Sequence, residues 1–201
     1  MNRAAHEEPD PREREPGWSL PGQSWLDERM VEQRTVLVRG CIDAALANHV
    51  AGLLLVLGRS GLEPVHMHLS APDGDLGAAF AIADAIEAAN VAVHLVVTSE
   101  VGGAALAVLA AAHRRTALAH ARIRLAEPRV DPLTGTAGEV TTAAGRYLRD
   151  LEDLVVRLAE VTGQPRSRIE DDLSAGRVLS ATEALEYGLI DAIAGRGARR
   201  A

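Results

Sequence analysis

Strand-like and helix-like segments alternate along this chain, which predicts an α/β fold of parallel strands joined by right-handed crossovers. Two observations carry that expectation. Residues 65–69 read as a strand, 77–89 as a helix, and 91–97 as a buried strand running directly into an Ala-rich helix. The size and composition fit as well: 201 residues with 47% hydrophobic side chains suit one domain around one core. Aromatics are only 2%, so that core must be built from Ala, Val, Leu and Ile.

The remaining elements follow in order. Residues 1–24 are rich in Pro, Arg and Glu, cannot bury enough surface to offset their ordering entropy, and are expected to be a mobile extension. The domain is expected over 25–194, with a flexible tail at 195–201. Residues 35–39 alternate as a short strand, and Leu46, Val50, Leu53, Leu54 and Leu57 then fall at helical spacing. Short strands are expected near 116–118 and 123–125. Leu148, Leu151, Leu154, Val155 and Leu158 mark a long helix starting near Thr136 and closed by Gly163, its apolar stripe turned to the core. Pro165 suits the first turn of another helix. Ser180-Ala-Thr-Glu183 is a capping box, and Gly188 is a helix stop.

Composition excludes several function classes. A net charge of −7 opposes general nucleic-acid binding, which needs a basic surface. All 21 basic residues are arginine, a bias that points to GC-rich coding rather than to arginine chemistry. The single cysteine, Cys41, rules out an internal disulfide framework and fits a reducing cytosol. The longest apolar run, 104–112, is too short to span a bilayer, and a cytoplasmic protein is expected.

Several motifs in one order carry a resemblance. LSATEALEYGLID at 179–191 follows the pattern L-S-A-x-E-A-x-E-Y-G-L-I-D, LAEVTGQP at 158–165 follows L-A-x-H-T-G-Q-P, and 122–128 keeps the frame R-I-x-I-H-Q-P. Over roughly 25–193 the chain resembles the proteolytic subunit of the Clp protease. The resemblance implies the repeated β-β-α superhelix of the Clp peptidase and crotonase group, with a protruding strand–helix handle from about Leu125 to Leu158. It also implies a Ser–His–Asp triad, in which a hydroxyl attacks, an imidazole takes its proton and a carboxylate orients the imidazole.

Position by position, the resemblance places the serine on Gly103, the histidine on Ala126 and the aspartate on Gly176. Shifting the neighbouring two-residue gap would put the serine on Val101, which is no better, and no Ser, Thr or Cys occurs from Glu100 to Arg115. Where the family reads S-P-G-G at its oxyanion loop, this chain reads Ala71-Pro72-Asp73-Gly74, so a carboxylate stands close to where negative charge would grow. The plain reading of Pro72-Asp73-Gly74 is a turn.

Substitutes for the triad are scarce. Ser99 belongs to the end of a strand; His120 is six residues from Ala126, about 20 Å of extended chain. His113 is expected at a solvated helix end, and Asp171 and Asp172 offer carboxylates near Gly176 without a base to orient. His66 and His68 share a strand face as half a metal site, for which alternation on a half-buried strand is the simpler account. Arg122, Arg124 and Glu127 lie on or beside the expected substrate-facing strand.

The expectation is therefore a catalytically inactive Clp-type ring subunit without cofactor or metal. Its implied partners are a homo- or hetero-heptameric ring of Clp peptidase subunits and an AAA+ unfoldase, with neither nucleic acid nor membrane. Two rivals remain at this level: an active serine endopeptidase subunit using other residues, and a crotonase-like acyl-CoA binding module.

Overall fold

The computed structural model describes residues 23–130 and 134–195, with side chains from residue 28 onward. The expected extension and tail fall almost wholly outside them, although helix α1 (Gln23–Glu32) already begins at Gln23. The chain continues as β1 (Thr35–Arg39), α2 (Ala44–Arg59), β2 (Val65–Ser70), α3 (Leu76–Glu87) and β3 (Val93–Val97). Then come β4 (Glu100–Gly102), α4 (Ala105–Ala111), β5 (Arg114–Ala117), β6 (Arg122–Leu125) and α5 (Ala137–Thr162). The last elements are α6 (Arg166–Ala175), β7 (Arg177–Ser180), α7 (Ala181–Tyr187) and β8 (Ala192–Ile193).

The α/β expectation holds. Five parallel strands form one sheet in the order β1-β2-β3-β5-β8. Val36, Val38, Val65, Met67, Leu69, Val93, Leu95 and Val97 alternate onto one face and are completely or almost completely buried. Residues of α2, α3 and α4 join them in a single apolar core. Asp43 and Asp75 start α2 and α3 by accepting the Leu46 and Ala78 N–H groups at 2.8 and 2.7 Å.

A second sheet of three strands, β4-β6-β7, stands apart from the first. Here the sequence expectation fails in detail. The chain does not pass straight from β3 into α4, because Glu100–Gly102 leaves the first sheet to pair in parallel with β6. Three-residue strands carry too little periodicity to be read locally.

The long helix is capped as expected. Thr136 and Glu139 form a capping box, and Gly163 ends α5 at φ +69°. Its apolar stripe is only half in the core: Leu154, Val155 and Leu158 are buried, whereas Leu148 is 62% exposed. Leu148 is turned to solvent, whereas its neighbours Arg146 and Tyr147 line a cavity together with residues of the 73–77 loop. The handle strand is absent from residues 126–130, the described part after β6. Pro165 sits at the cap (φ −60°, ψ 142°) rather than in the first turn of α6.

Candidate active-site corner

Strand register assembles the corner. Gly102 of β4 pairs with Arg124 of β6, and Leu125 of β6 pairs antiparallel with Arg177 of β7. Gly103 follows β4, Ala126 follows β6 and Gly176 precedes β7, so all three leave the small sheet at the same end. The positions picked from the sequence are brought together, and none carries a functional side chain.

Gly103 is buried, with φ +52°, a left-handed conformation that costs an L side chain roughly 1–2 kcal/mol. A Cβ there would lie 2.9 Å from Asp73 Cγ and closer still to Asp73 Oδ1. The Asp73 carboxylate thus occupies the space a side chain at 103 would need. Asp73 Oδ1 accepts the Gly74 N–H at 2.9 Å and the Arg129 N–H at 3.4 Å, and the Arg129 guanidinium lies 3.6 Å from Oδ2.

The loop carrying Asp73, expected as a turn, is tied to the residues before α2. Gly74 forms a parallel bridge with Ile42, with Ile42 N–H donating to Asp73 O at 3.2 Å and Asp75 N–H to Ile42 O at 2.7 Å. A Cβ on Gly74 would fall 2.6 Å from Ile42, so only glycine permits this approach. From the other side Arg124 donates to Pro72 O at 3.2 Å and lies 3.5 Å from Glu100. Arg124 was visible in sequence as a strand residue, but its bridge between loop and small sheet was not.

Ser99 and His120 lie at the other end of β4 and β6 from this corner, where the Arg122 N–H donates to Ser99 O at 2.9 Å. Ser99 is exposed in the bend between β3 and β4, and His120 is exposed in the turn between β5 and β6. His113 is exposed but not free: its Nδ1 accepts the Val93 N–H at 3.1 Å, at the opposite end of β3 from Ser99. Asp172 is committed to the Tyr187 hydroxyl at 2.7 Å and to Arg177 at 3.1 Å. Gly176 closes α6 at φ +67°.

A model of the Clp protease family matches residues 22–197. The chain belongs to the Clp protease family. It is 31% identical over 186 residues to an ATP-dependent Clp protease proteolytic subunit of Ostreococcus tauri, covering 88% of this chain and 92% of that relative. Proteolytic subunit 1 of Mycobacterium leprae is 30% identical over 169 residues, covering 83% of this chain and 84% of the relative. Subunit 1 of Mycobacterium tuberculosis H37Rv is 30% identical over 187 residues, with 92% of each chain covered.

Within this Clp-family fold, a cavity of about 500 Å³ opens beside the corner, lined by Ile42, Asp43, Asp75, Leu76, Arg146 and Tyr147 among others. Tyr147 donates to Pro128 O at 2.9 Å. Burial raises its hydroxyl pKa, and the negative charges of Glu127 and Asp73 raise it further. Sequence reasoning missed Tyr147 because its place depends on how α5 crosses the loop. Among the described residues no group of three His, Cys, Asp or Glu could hold a metal ion, and no helix is long and apolar enough to cross a membrane.

Proposed function

We propose that this chain is a catalytically inactive ring subunit of an ATP-dependent Clp protease, with a structural or regulatory role beside active subunits. Members of this family form oligomeric rings with Clp ATPases. The observation that carries the inactive reading is the contact between Gly103 and Asp73. The seat of a nucleophile is a buried left-handed glycine, and a carboxylate fills the space above it. An oxyanion stabiliser must offer positive charge or N–H groups to developing negative charge. Asp73 instead takes up the Gly74 and Arg129 N–H groups and puts its own charge there.

The positions at 126 and 176 support the same reading. Without an imidazole at Ala126, a hydroxyl placed at 103 stays protonated and poorly nucleophilic, since triad members act as a unit. The test is native mass spectrometry of the purified chain, alone and mixed with an active Clp peptidase subunit, alongside a fluorogenic-peptide assay. Rings without cleavage alone, or mixed rings with the active partner, are expected. A monomer under both conditions contradicts the ring role, and cleavage by the pure chain contradicts the inactive one.

A further inference from the structure

Opposite its buried face, the five-stranded sheet carries a row of side chains in register. Thr35, His66, His94 and Arg114 are successive partners across β1, β2, β3 and β5. Two histidines far apart in sequence are thereby set side by side on neighbouring strands. Their ring centroids lie 5.8 Å apart with the planes at 76°. Both keep access to solvent, and neither ring makes a hydrogen bond among the described residues. Each therefore has a nitrogen lone pair to offer.

The nearby imidazoles are placed differently. His113 Nδ1 accepts the Val93 N–H at 3.1 Å. In the neutral ring its other nitrogen then carries the proton and has no lone pair for a metal. His68 belongs to the next row, with Leu37, Val96 and Thr116. Neither row contains an acid.

We propose that His66 and His94 form a two-imidazole site for a divalent transition-metal ion such as zinc, joining β2 to β3 on the outer face of the sheet. The separation suits such an ion. With metal–nitrogen bonds of about 2.0–2.1 Å, two imidazoles on one ion hold their centroids about 5 Å apart at a tetrahedral angle and about 6.4 Å apart when opposite. The observed spacing lies inside that span. Rotation about the soft χ2 torsions aims one nitrogen of each ring at a common point while the backbone stays in place.

The surroundings select the kind of ion. Imidazoles without a carboxylate favour zinc, copper or nickel over magnesium or calcium, which take oxygen ligands. Protons compete for the same lone pairs. Burial lowers the His94 pKa, with His66, Arg114 and His113 adding to the effect, so this ring is neutral and able to ligate at neutral pH. Arg114 also opposes an incoming cation, but it is exposed and screened by water and salt. Among the described residues no group of three ligating side chains forms, so the ion keeps positions for water or a further ligand. The site stands on one chain and does not depend on the ring reading.

The test is titration calorimetry of the full chain with zinc chloride at about pH 7.5, above the ordinary histidine pKa, with circular dichroism to confirm the fold of each variant. Saturable binding of one ion at this site is expected, with an unfolding midpoint that rises with zinc concentration because only the folded chain holds the pair together. His66→Gln and His94→Gln should each weaken binding by at least about tenfold, since losing even an outer partner of a ligand costs roughly 10–100-fold. His68→Gln should leave binding unchanged. Absence of binding by the unaltered chain, or binding of the same strength in the double variant His66→Gln, His94→Gln, overturns the proposal. A loss in His68→Gln as large as in His94→Gln overturns the pairing of His66 with His94 across the strands.

Discussion

The two edges of the small sheet are built by different rules. On the β7 edge every local device agrees with the fold. Ser180 and Glu183 cap α7 reciprocally, Gly188 ends it at φ +93°, and the Tyr187 hydroxyl is anchored on Asp172. On the β4 edge a left-handed glycine and a carboxylate meet, the contact on which the proposed inactive reading rests. Gly103 has the left-handed φ of a tight strand-to-helix junction, and Asp73 stands where its Cβ would be. The difference separates what holds this Clp-family fold from what peptidase chemistry would need of it. The first depends on caps, turns and burial, whereas the second depends on a few groups that can be exchanged while the scaffold remains.

That contrast can be broken most strongly on the β7 edge. A Cβ on Gly188 would lie 2.7 Å from Thr162 O, on a backbone that L residues rarely adopt. Gly188→Val should therefore destabilise the chain by on the order of 4 kcal/mol in chemical denaturation. A loss below about 1 kcal/mol would show that the tail is not held as described.

The β4 edge predicts a smaller, coupled effect. Gly103→Ala should cost about 2–3 kcal/mol, part from φ and part from collision with Asp73. In the Asp73→Gly background the collision disappears, so a double-mutant cycle should give a coupling of about 1 kcal/mol or more. Additive effects would show that Asp73 does not occupy the space above Gly103. Gly103→Ser alone should stay without peptidase activity in either background, read with a fluorogenic peptide.

Ser180→Ala removes a cap and should cost about 1 kcal/mol, measured as a fall in unfolding midpoint. The smallest effect concerns Asp191. Burial alone would raise its pKa, but hydrogen bonds from Arg115 overcome this and leave it lowered. A carboxyl with a lowered folded pKa contributes stability that is fully present above its unfolded value and is lost as pH falls through the folded one. Asp191→Asn should therefore lower stability modestly at neutrality and flatten the acid limb of stability against pH, the two proteins converging below about pH 4.

Much of the β7 edge was legible in sequence because its signals are local. A capping box spans four residues, and the helix from Thr136 to Gly163 announced both ends in the same way. The strands β4, β7 and β8 were not legible, since two to four residues gain strand identity only from distant partners. Leu148 matched the helical period yet lies outside the core, because periodicity says which face a residue shares and not how far the neighbours reach. At the site, the sequence presented Gly103, Ala126, Gly176 and Asp73 individually. It could not present the contact of Asp73 with Gly103, nor Arg124 and Ile42 fixing the loop from either side.

The inactive reading is tested most directly by intact-protein mass spectrometry after exposure to a fluorophosphonate probe. On the proposed reading, with Gly103 at the nucleophile's position and Ala126 at the histidine's, the protein should keep its unmodified mass while an active Clp peptidase subunit treated alongside is labelled. Stoichiometric labelling of this chain, mapped to one serine and abolished by its replacement with alanine (Ser99→Ala first), would contradict the account.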